Sequence, residues 1–357
     1  TGANLTGANL TGADLAKSTL TRAKLTDAKM KGTKWAGASL AQADFSGADL
    51  SGTDWMGVDL SGANLTDANL SGINLSNANL TRVTWRPGPV LSRQLASAQL
   101  TGANLTDVNL MRMDLSAKDL TGVNLTGASL SEAHLRGTTL VGATLAGAGS
   151  KTMTAGFDLT GADLTSATVS GFWLTSASKA SFVNASLTDV VFMGGWEMAD
   201  VSGANFAQAT LTRVGIGGRP GTKADQYAPR AAQARGVSFK GASVRGSYLA
   251  NLSNATFVDA TVKSSAIVGA GGNNFSDAIM PGSMLGGTLS GSDFRGTDLR
   301  NSVLLGTYTG SNFKSANLSG SEVGKSGLMG DCRYLGASFV GAITTGVKWK
   351  CGAPSGL

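Results

Sequence analysis

The sequence predicts an all-β solenoid, and three observations predict it. An apolar residue recurs at every fifth position, a small residue sits two places before it, and the composition is biased in the way repeats bias it. From Leu5 the apolar series runs Leu10, Leu15, Leu20, Leu25, Met30, Trp35, Leu40, Phe45, Leu50, Trp55 and Leu60, and it continues without a miss to Leu145, 29 positions in all. A period of five matches neither the roughly 3.6-residue period of a helix nor the two-residue period of a strand. It fits a unit made of one short extended side and one turn. Charged residues are 15 % of the chain and glycine supplies 50 of 357 residues, with Thr, Ser, Ala, Asn and Leu filling most of the rest. Such a bias points to a repeat before it points to a globular domain. A hydrophobic content of 42 % is enough for a packed interior and argues against disorder.

Each element of the unit has a physical role. Ala3, Ala8, Ala13, Ala23, Ala28, Ala38, Ala43, Ala48, Ala63 and Ala68 occupy the small position, two before the apolar residue. Both point inward, so large and small side chains fill a narrow interior. Asn4, Asn9, Asp14, Asp44, Asp49, Asp54, Asp59 and Asn64 lie between them and point outward, where a short polar side chain can bond the backbone of the next corner. Thr or Ser usually follows, and then often Gly, which relaxes the turn.

The resulting segments, Ala3-Asn4-Leu5-Thr6-Gly7, Ala48-Asp49-Leu50-Ser51-Gly52 and Ala63-Asn64-Leu65-Thr66-Asp67, closely resemble the pentapeptide-repeat family. The resemblance covers 1–85 and 98–145 almost without fault and is looser to about residue 350. It implies an all-β, right-handed quadrilateral parallel β-helix with four repeats per coil. At the interstrand spacing of ~4.8 Å, roughly 17 coils would make a rod of ~80 Å. Neighbouring coils would complete each other's core, so stability would be close to one-dimensional.

The organisation expected is a regular solenoid over 1–145, with one irregular coil at 86–97, and a continuation over 146–357 that carries loop insertions and a C-terminal end cap. In the irregular coil Val90 and Leu95 stay on phase, so it reads as a coil with bulged or 3₁₀-like corners. Pro87 and Pro89 remove two ladder donors there. After 145 the phase slips repeatedly, near 250, 270–278 and 305 among other places, each slip reading as a corner loop of odd length. Phe257, Ile267, Ile279, Met284, Leu289, Phe294, Leu304, Tyr308 and Phe313 are assigned to the inward phase. The longest insertion, 217–236, carries Arg219, Lys223, Tyr227, Arg230 and Arg235 as interaction-loop candidates, since loops on rigid scaffolds commonly carry function.

Catalytic chemistry is poorly supplied. The one histidine, His134, falls at an outward position, and no spacing offers it triad or metal partners. No catalytic residue, metal ligand or cofactor is expected. Stacked Asp and Asn, and sequons such as Asn104-Leu105-Thr106, are automatic products of the repeat and indicate neither acid–base catalysis nor glycosylation. Trp35, Trp55 and Trp85 are core fillers, with Trp35 and Trp55 stacked one coil apart; Trp173 and Trp196 are off the main phase and better placed for exposed contacts. Cys332 and Cys351 are nineteen residues apart, almost one coil, but on different phases, which leaves open a disulfide or two free thiols.

The net charge is +6, scattered rather than clustered, with Lys24, Lys29, Lys34 and Lys118 read as outward. Nucleic acid is therefore not an expected partner. No stretch reaches the ~18 apolar residues of a membrane helix. Residue 1 is not Met and lies inside a repeat, which suggests a processed or excised chain with a bare first coil. Leu5, Leu10, Leu15 and Trp349 are then candidates for assembly ends. The function expected is that of a non-catalytic structural rod that assembles with itself head to tail, as an extracellular filament or coat. The alternatives are a secreted effector or adhesin acting through 217–236, an acidic DNA mimic of the kind the resemblance implies for topoisomerase-binding relatives, and an ice- or polysaccharide-binding face of Thr6, Thr11, Thr21 and Thr26.

Overall fold

The computed structural model describes residues 1–147, 157–192, 199–217, 233–324, 337–350 and 353. The chain divides into two compact units, Thr1–Phe172 and Trp173–Leu357. Each is a parallel β-helix whose coils are joined by backbone hydrogen bonds.

In the first unit the outward residues bridge in parallel to residues one coil away: Asn4 to Lys24, Lys24 to Asp44 and Asp44 to Asn64. The N–H of Leu5 donates to the Lys24 carbonyl at 2.7 Å, and the N–H of Lys24 donates to the Ala3 carbonyl at 2.8 Å. Between these contacts the chain turns. The Leu5 carbonyl accepts from the Ala8 N–H at 3.0 Å, and Gly7, third residue of the turn, has φ 67. A positive φ at that position is the type II requirement. Non-glycine residues also meet it here: Lys17, Arg22 and Asp27 take φ values of 59, 60 and 56. The repeat thus holds one left-handed residue per corner, and the Leu and Ala positions between corners are buried, from Ala23 and Leu25 onward. Trp35 and Trp55 are neighbours in this core at 5.5 Å, but their planes are tilted by 58° rather than stacked. Each indole N–H is buried with no acceptor, a cost of about 1–3 kcal/mol apiece. Trp85 is better placed, since its indole N–H donates to the Asn109 carbonyl at 2.8 Å. Strands β1 (Thr144–Ala146), β2 (Phe157–Asp158) and β3 (Thr168–Ser170) follow, with β1 and β3 parallel and Leu145 opposite Val169.

The irregular coil differs from the sequence expectation. It holds an α-helix, α1 (Pro89–Leu95), with proline in its first turn and Gly88 before it at φ 139. Helical periodicity takes over from the five-residue period, so Leu91 and Leu95 are buried while Val90, on phase by count, is 62 % exposed. The coil containing α1 is one repeat longer: Asn79 bridges Asn104.

The second unit begins with β4 (Trp173–Ser176), β5 (Ser186–Thr188), β6 (Val191–Phe192), β7 (Thr210–Thr212), β8 (Gly215–Ile216) and β9 (Ala234–Arg235). It continues with β10 (Ser243–Arg245), β11 (Tyr248–Ser253), β12 (Thr261–Lys263), β13 (Ala266–Gly271) and β14 (Met284–Thr288), then β15 (Val303–Thr307), β16 (Glu322–Gly324) and β17 (Lys348–Trp349). One side stacks β5, β7, β10 and β12. Another stacks β4, β6, β8, β11, β13, β14, β15, β16 and β17, all parallel. From β11 to β16 its coils are shorter than those of the first unit. Tyr248 pairs with Ala266 and then Met284, and Met284 pairs with Val303 and then Glu322.

The missing residues come from one corner. Leu249 and Leu252 are both buried only three apart, Leu285 and Leu289 four apart, and Leu304 and Tyr308 four apart. The slips near 250 and 305 are therefore tightened corners inside continuous strands, not corner loops. The corner near 250 turns at Asn251, φ 57, while glycine makes the later two possible. Gly287 and Gly306 take φ 90 and 128, and a Cβ on Gly306 would sit 2.1 Å from the Gly287 carbonyl oxygen. The expected phase also moves by one before this corner: Met280 and Leu285 are inside, whereas Ile279 and Met284 are 48 % and 37 % exposed.

Two interior columns hold the second unit together. Phe182, Phe206, Phe239, Phe257, Phe275, Phe294, Phe313 and Phe339 stack face to face, with centroids 4.5–5.3 Å apart and planes within 1–16°. Each buried ring contributes about 1.5–3 kcal/mol through area alone. The small position meanwhile changes from Ala to Ser. Ser247, Ser265, Ser283, Ser302 and Ser321 are buried, and hydroxyl oxygens accept from the preceding serine's N–H, as Ser265 does from Ser247 at 3.2 Å. The Ser302 hydroxyl accepts from the Ser283 N–H at 3.3 Å and donates to the Met280 carbonyl at 2.8 Å, so it is satisfied on both sides.

The tightened corner yields a paired test. Gly57→Ala, at φ 69 with open space around its Cβ, should cost about 1–2 kcal/mol for the left-handed backbone alone. Gly306→Ala forces the stacked backbone apart and should lower the urea midpoint by clearly more; equal midpoints for the two variants would refute the close-approach account.

Candidate interaction surface

The first unit wears its charge in bands. Lys24, Lys29 and Lys34 occupy three outward positions of one coil, and Asp44, Asp49, Asp54 and Asp59 occupy the four outward positions of the next. Asn64, Asn69, Asn74 and Asn79 form the following band. Each asparagine donates its side-chain N–H to the aspartate one coil back, at 3.1, 3.0, 2.9 and 2.9 Å. Each aspartate also accepts the N–H of the residue two ahead, as Asp49 does from Ser51 at 3.1 Å. The Ser46 hydroxyl on Asp44 and the Ser51 hydroxyl on Asp49 hold both carboxyls below the usual carboxylate range, although partial burial opposes the shift. These groups are therefore committed to their own corners. Threonines are similarly engaged: the Thr6 hydroxyl donates to Asn4 and the Thr26 hydroxyl to Asp44.

A cavity of about 740 Å³ lies beside α1, lined in part by Ser92, Arg93, Gln99, Asp114, Lys118 and Asp119. Lys118 corrects the sequence reading. It stands two before Leu120, at the small inward position, and is half-buried rather than a free outward cation. Its ammonium donates to the Ala96 and Ala98 carbonyls at 2.6 and 2.9 Å, just past the last turn of α1, where a cation is favoured. Burial pushes its pKa down. Arginine–carboxylate pairs tie neighbouring coils at exposed corners, Arg112 to Glu132 at 2.9 Å and Arg213 to Asp189 at 2.6 Å. Exposed pairs of this kind contribute about 0–1 kcal/mol each.

Among the sequence-derived candidates, Arg219, Lys223, Tyr227, Arg230, Cys332 and Cys351 lie outside the described residues, as does Trp196. Arg235 is exposed in β9, with its backbone N–H 3.4 Å from the Ser202 hydroxyl. Leu5, Leu10 and Leu15 are half-buried. Trp349 is half-buried in β17 and edge-on to Phe339 at 5.8 Å. The structure does not bring Arg235 together with Leu5, Leu10 and Leu15 in one unit. His134 is exposed and bridges Asp114 and Asp158 through the backbone. Among the described residues, no cluster of His, Cys, Asp or Glu could hold a metal, and no helix is long and apolar enough to cross a membrane.

Two outcomes follow from these geometries. Because the folded-state pKa of Asp44 and Asp49 is depressed, their stabilising contribution is complete above the unfolded value of about 3.9 and is lost as pH falls through the folded value. Asp44→Asn with Asp49→Asn keeps the acceptors but removes the titration, so stability measured by urea unfolding should fall less steeply on acidification than in the unaltered protein; parallel acid limbs would contradict this. Lys118→Met keeps the stem but strips two carbonyls of their donor, and amide exchange over 89–96 should speed up while exchange around Asn64 is unchanged.

The pentapeptide-repeats family model matches the chain in eight copies, over residues 1–34, 23–62, 43–82, 119–148 and 286–323. No curated protein matches the chain. Among solved structures, HetL, a pentapeptide repeat protein involved in heterocyst differentiation regulation from the cyanobacterium Nostoc, is 19 % identical, with 97 % of this chain and 87 % of that chain covered at a TM-score of 0.24. A pentapeptide repeat protein from the Arabidopsis thaliana thylakoid lumen is 28 % identical over 37 % of this chain and 68 % of that one, at a TM-score of 0.14. QnrB1, a plasmid-mediated fluoroquinolone resistance protein, is 14 % identical over 68 % and 90 %, at 0.24. With its five-residue ladder, its left-handed corners and these matched repeats, the chain is a β-helix built of the repeats that define the pentapeptide-repeat family.

Proposed function

We propose that the chain is a non-catalytic scaffold that acts by presenting long β-helical faces to protein, its own copies included. The observation that carries this reading is the engagement of the outward Asp and Asn side chains in their own corners, as when Asp44 accepts from the Ser46 N–H and from Asn64. A surface built this way offers shape and backbone order rather than poised acids and bases. The parallel ladder that joins coil to coil is also the contact that would join copies end to end, into an extracellular filament or coat. A topoisomerase-binding mimic of duplex DNA fits less well, because the Lys24, Lys29 and Lys34 band and a net charge of +6 replace the acidic surface that mimicry needs.

Electron microscopy and sedimentation velocity of the purified protein test the assembly. Linear particles that lengthen with concentration are expected. Strictly monomeric particles at high concentration would remove self-assembly and leave only other proteins as partners.

A further inference from the structure

The tightened corner of the second unit leaves an outward face unlike the rest of the surface. Strands β11, β13, β14 and β15 place Tyr248, Ala266, Met284 and Val303 in one outward column, each opposite the next. A second column alongside it runs Ala250, Val268, Gly286 and Leu305, of which Val268 and Leu305 reach the surface and Ala250 and Gly286 are buried. In the first unit the outward positions are mostly Asn, Asp, Ser, Thr or Lys; here they are apolar or glycine. Met284 is 37 % exposed, and Tyr248, Ala266, Val268, Val303 and Leu305 are half-exposed.

The two long borders of this strip differ. On one side Arg245 and Lys263 stand opposite each other on β10 and β12, both exposed, three residues before Tyr248 and Ala266 in the chain. Most other exposed arginines of the described residues pair with a carboxylate, as Arg213, Arg295 and Arg300 do. No ion pair of Arg245 or Lys263 is found among the described residues. On the other side Thr288 and Thr307 give an uncharged border. From Tyr248 to Val303 the column crosses three interstrand steps, ~14 Å, the length of about ten residues of α-helix.

We propose that this face docks an acidic amphipathic helix of a partner protein, with its apolar side on Tyr248, Met284, Val303 and Leu305 and its carboxylates over Arg245 and Lys263. The proposal rests on the scaffold reading and names the partner's chemistry. Apolar contact supplies the area and the unpaired cations supply orientation and partner choice.

The test uses the full chain and a fluorescein-labelled synthetic helix with leucines on one face and glutamates flanking it. Saturable binding by fluorescence anisotropy is expected, weakening at least tenfold in Met284→Glu and in Arg245→Glu with Lys263→Glu. A control helix with lysine in place of every glutamate should also bind at least tenfold more weakly. These positions are on the surface, and an unchanged thermal unfolding profile verifies each variant. Absence of binding, equal binding of the two helices, or binding indifferent to the substitutions overturns the proposal. Self-association abolished by Met284→Glu overturns it too, since the face would then belong to a second copy. The peptide-binding results leave the end-to-end assembly untouched, since that is read separately by sedimentation of the unaltered protein; only the loss of self-association in Met284→Glu would count against both.

Discussion

Everything in this molecule depends on one constraint: the backbone of each coil must hydrogen-bond the backbone of the next while closing on itself. Parallel pairing fixes the rise at about 4.8 Å, so each inward side chain meets the same position of the neighbouring coil at that distance. Large side chains must therefore stack on large ones and small on small. The Leu and Ala columns of the first unit and the phenylalanine column of the second are two solutions of the same problem. Flat rings at 4.5–5.3 Å fill the rise almost completely. Trp35 and Trp55 meet instead at 58°, and their two buried indole N–H groups have no acceptor.

Closure places the second demand, one residue per corner in the left-handed region. Glycine meets it freely, yet Lys17, Arg22, Asp67, Arg82 and Arg112 meet it as well. Their positive φ costs about 1–2 kcal/mol each, offset by cooperative pairing above and below. Long charged side chains at these corners also reach the neighbouring coil, as Arg82 does to Asp107 at 3.2 Å. Where the corner is cut to three residues, between Leu249 and Leu252, Asn251 still takes φ 57, but at the four-residue corners that tolerance is gone. There the stacked backbones approach so closely that Gly287 and Gly306 are required by contact as well as by φ.

The periodic part of this architecture is legible in the sequence because its cause is periodic. Leu25, Phe45 and Leu145 fall inside for the reason that put them five apart, and Asp49 and Asn64 face out as their position predicts. What stayed hidden are the places where a second rule competes. Val90 keeps the five-residue count but lies in a helix, where Pro89 and Gly88 start a different period. Ile279 and Met284 look like the inward series because isoleucine and methionine are apolar; only the paired strands show that Met280 and Leu285 have taken the interior. Lys118 sits at an inward position that counting identifies, but its charge argued for the surface. The carbonyls that hold it belong to residues about twenty earlier.

The change from alanine to serine at the small position links interior to exterior in the second unit. A cut corner disturbs local backbone pairing, and β11 meets β13 with register shifts between Ala250 and Ser253. Backbone donors near such a corner need acceptors, and buried donors left unmade are costly. Asn273 supplies one by accepting from the Ala255 N–H at 2.9 Å, and the serine hydroxyls supply others coil by coil. Outside, β11, β13, β14 and β15 dispense with the usual Asn or Asp because the continuous ladder pairs the backbone two residues on, as Val268 with Gly286 and Gly286 with Leu305. A side chain no longer needed to bond the corner is free to be apolar. The same shortening that demands glycine and buried serine thus creates the one described face on which tyrosine, methionine, valine and leucine are presented together, and it is there that the surface departs from the chemistry of the repeat.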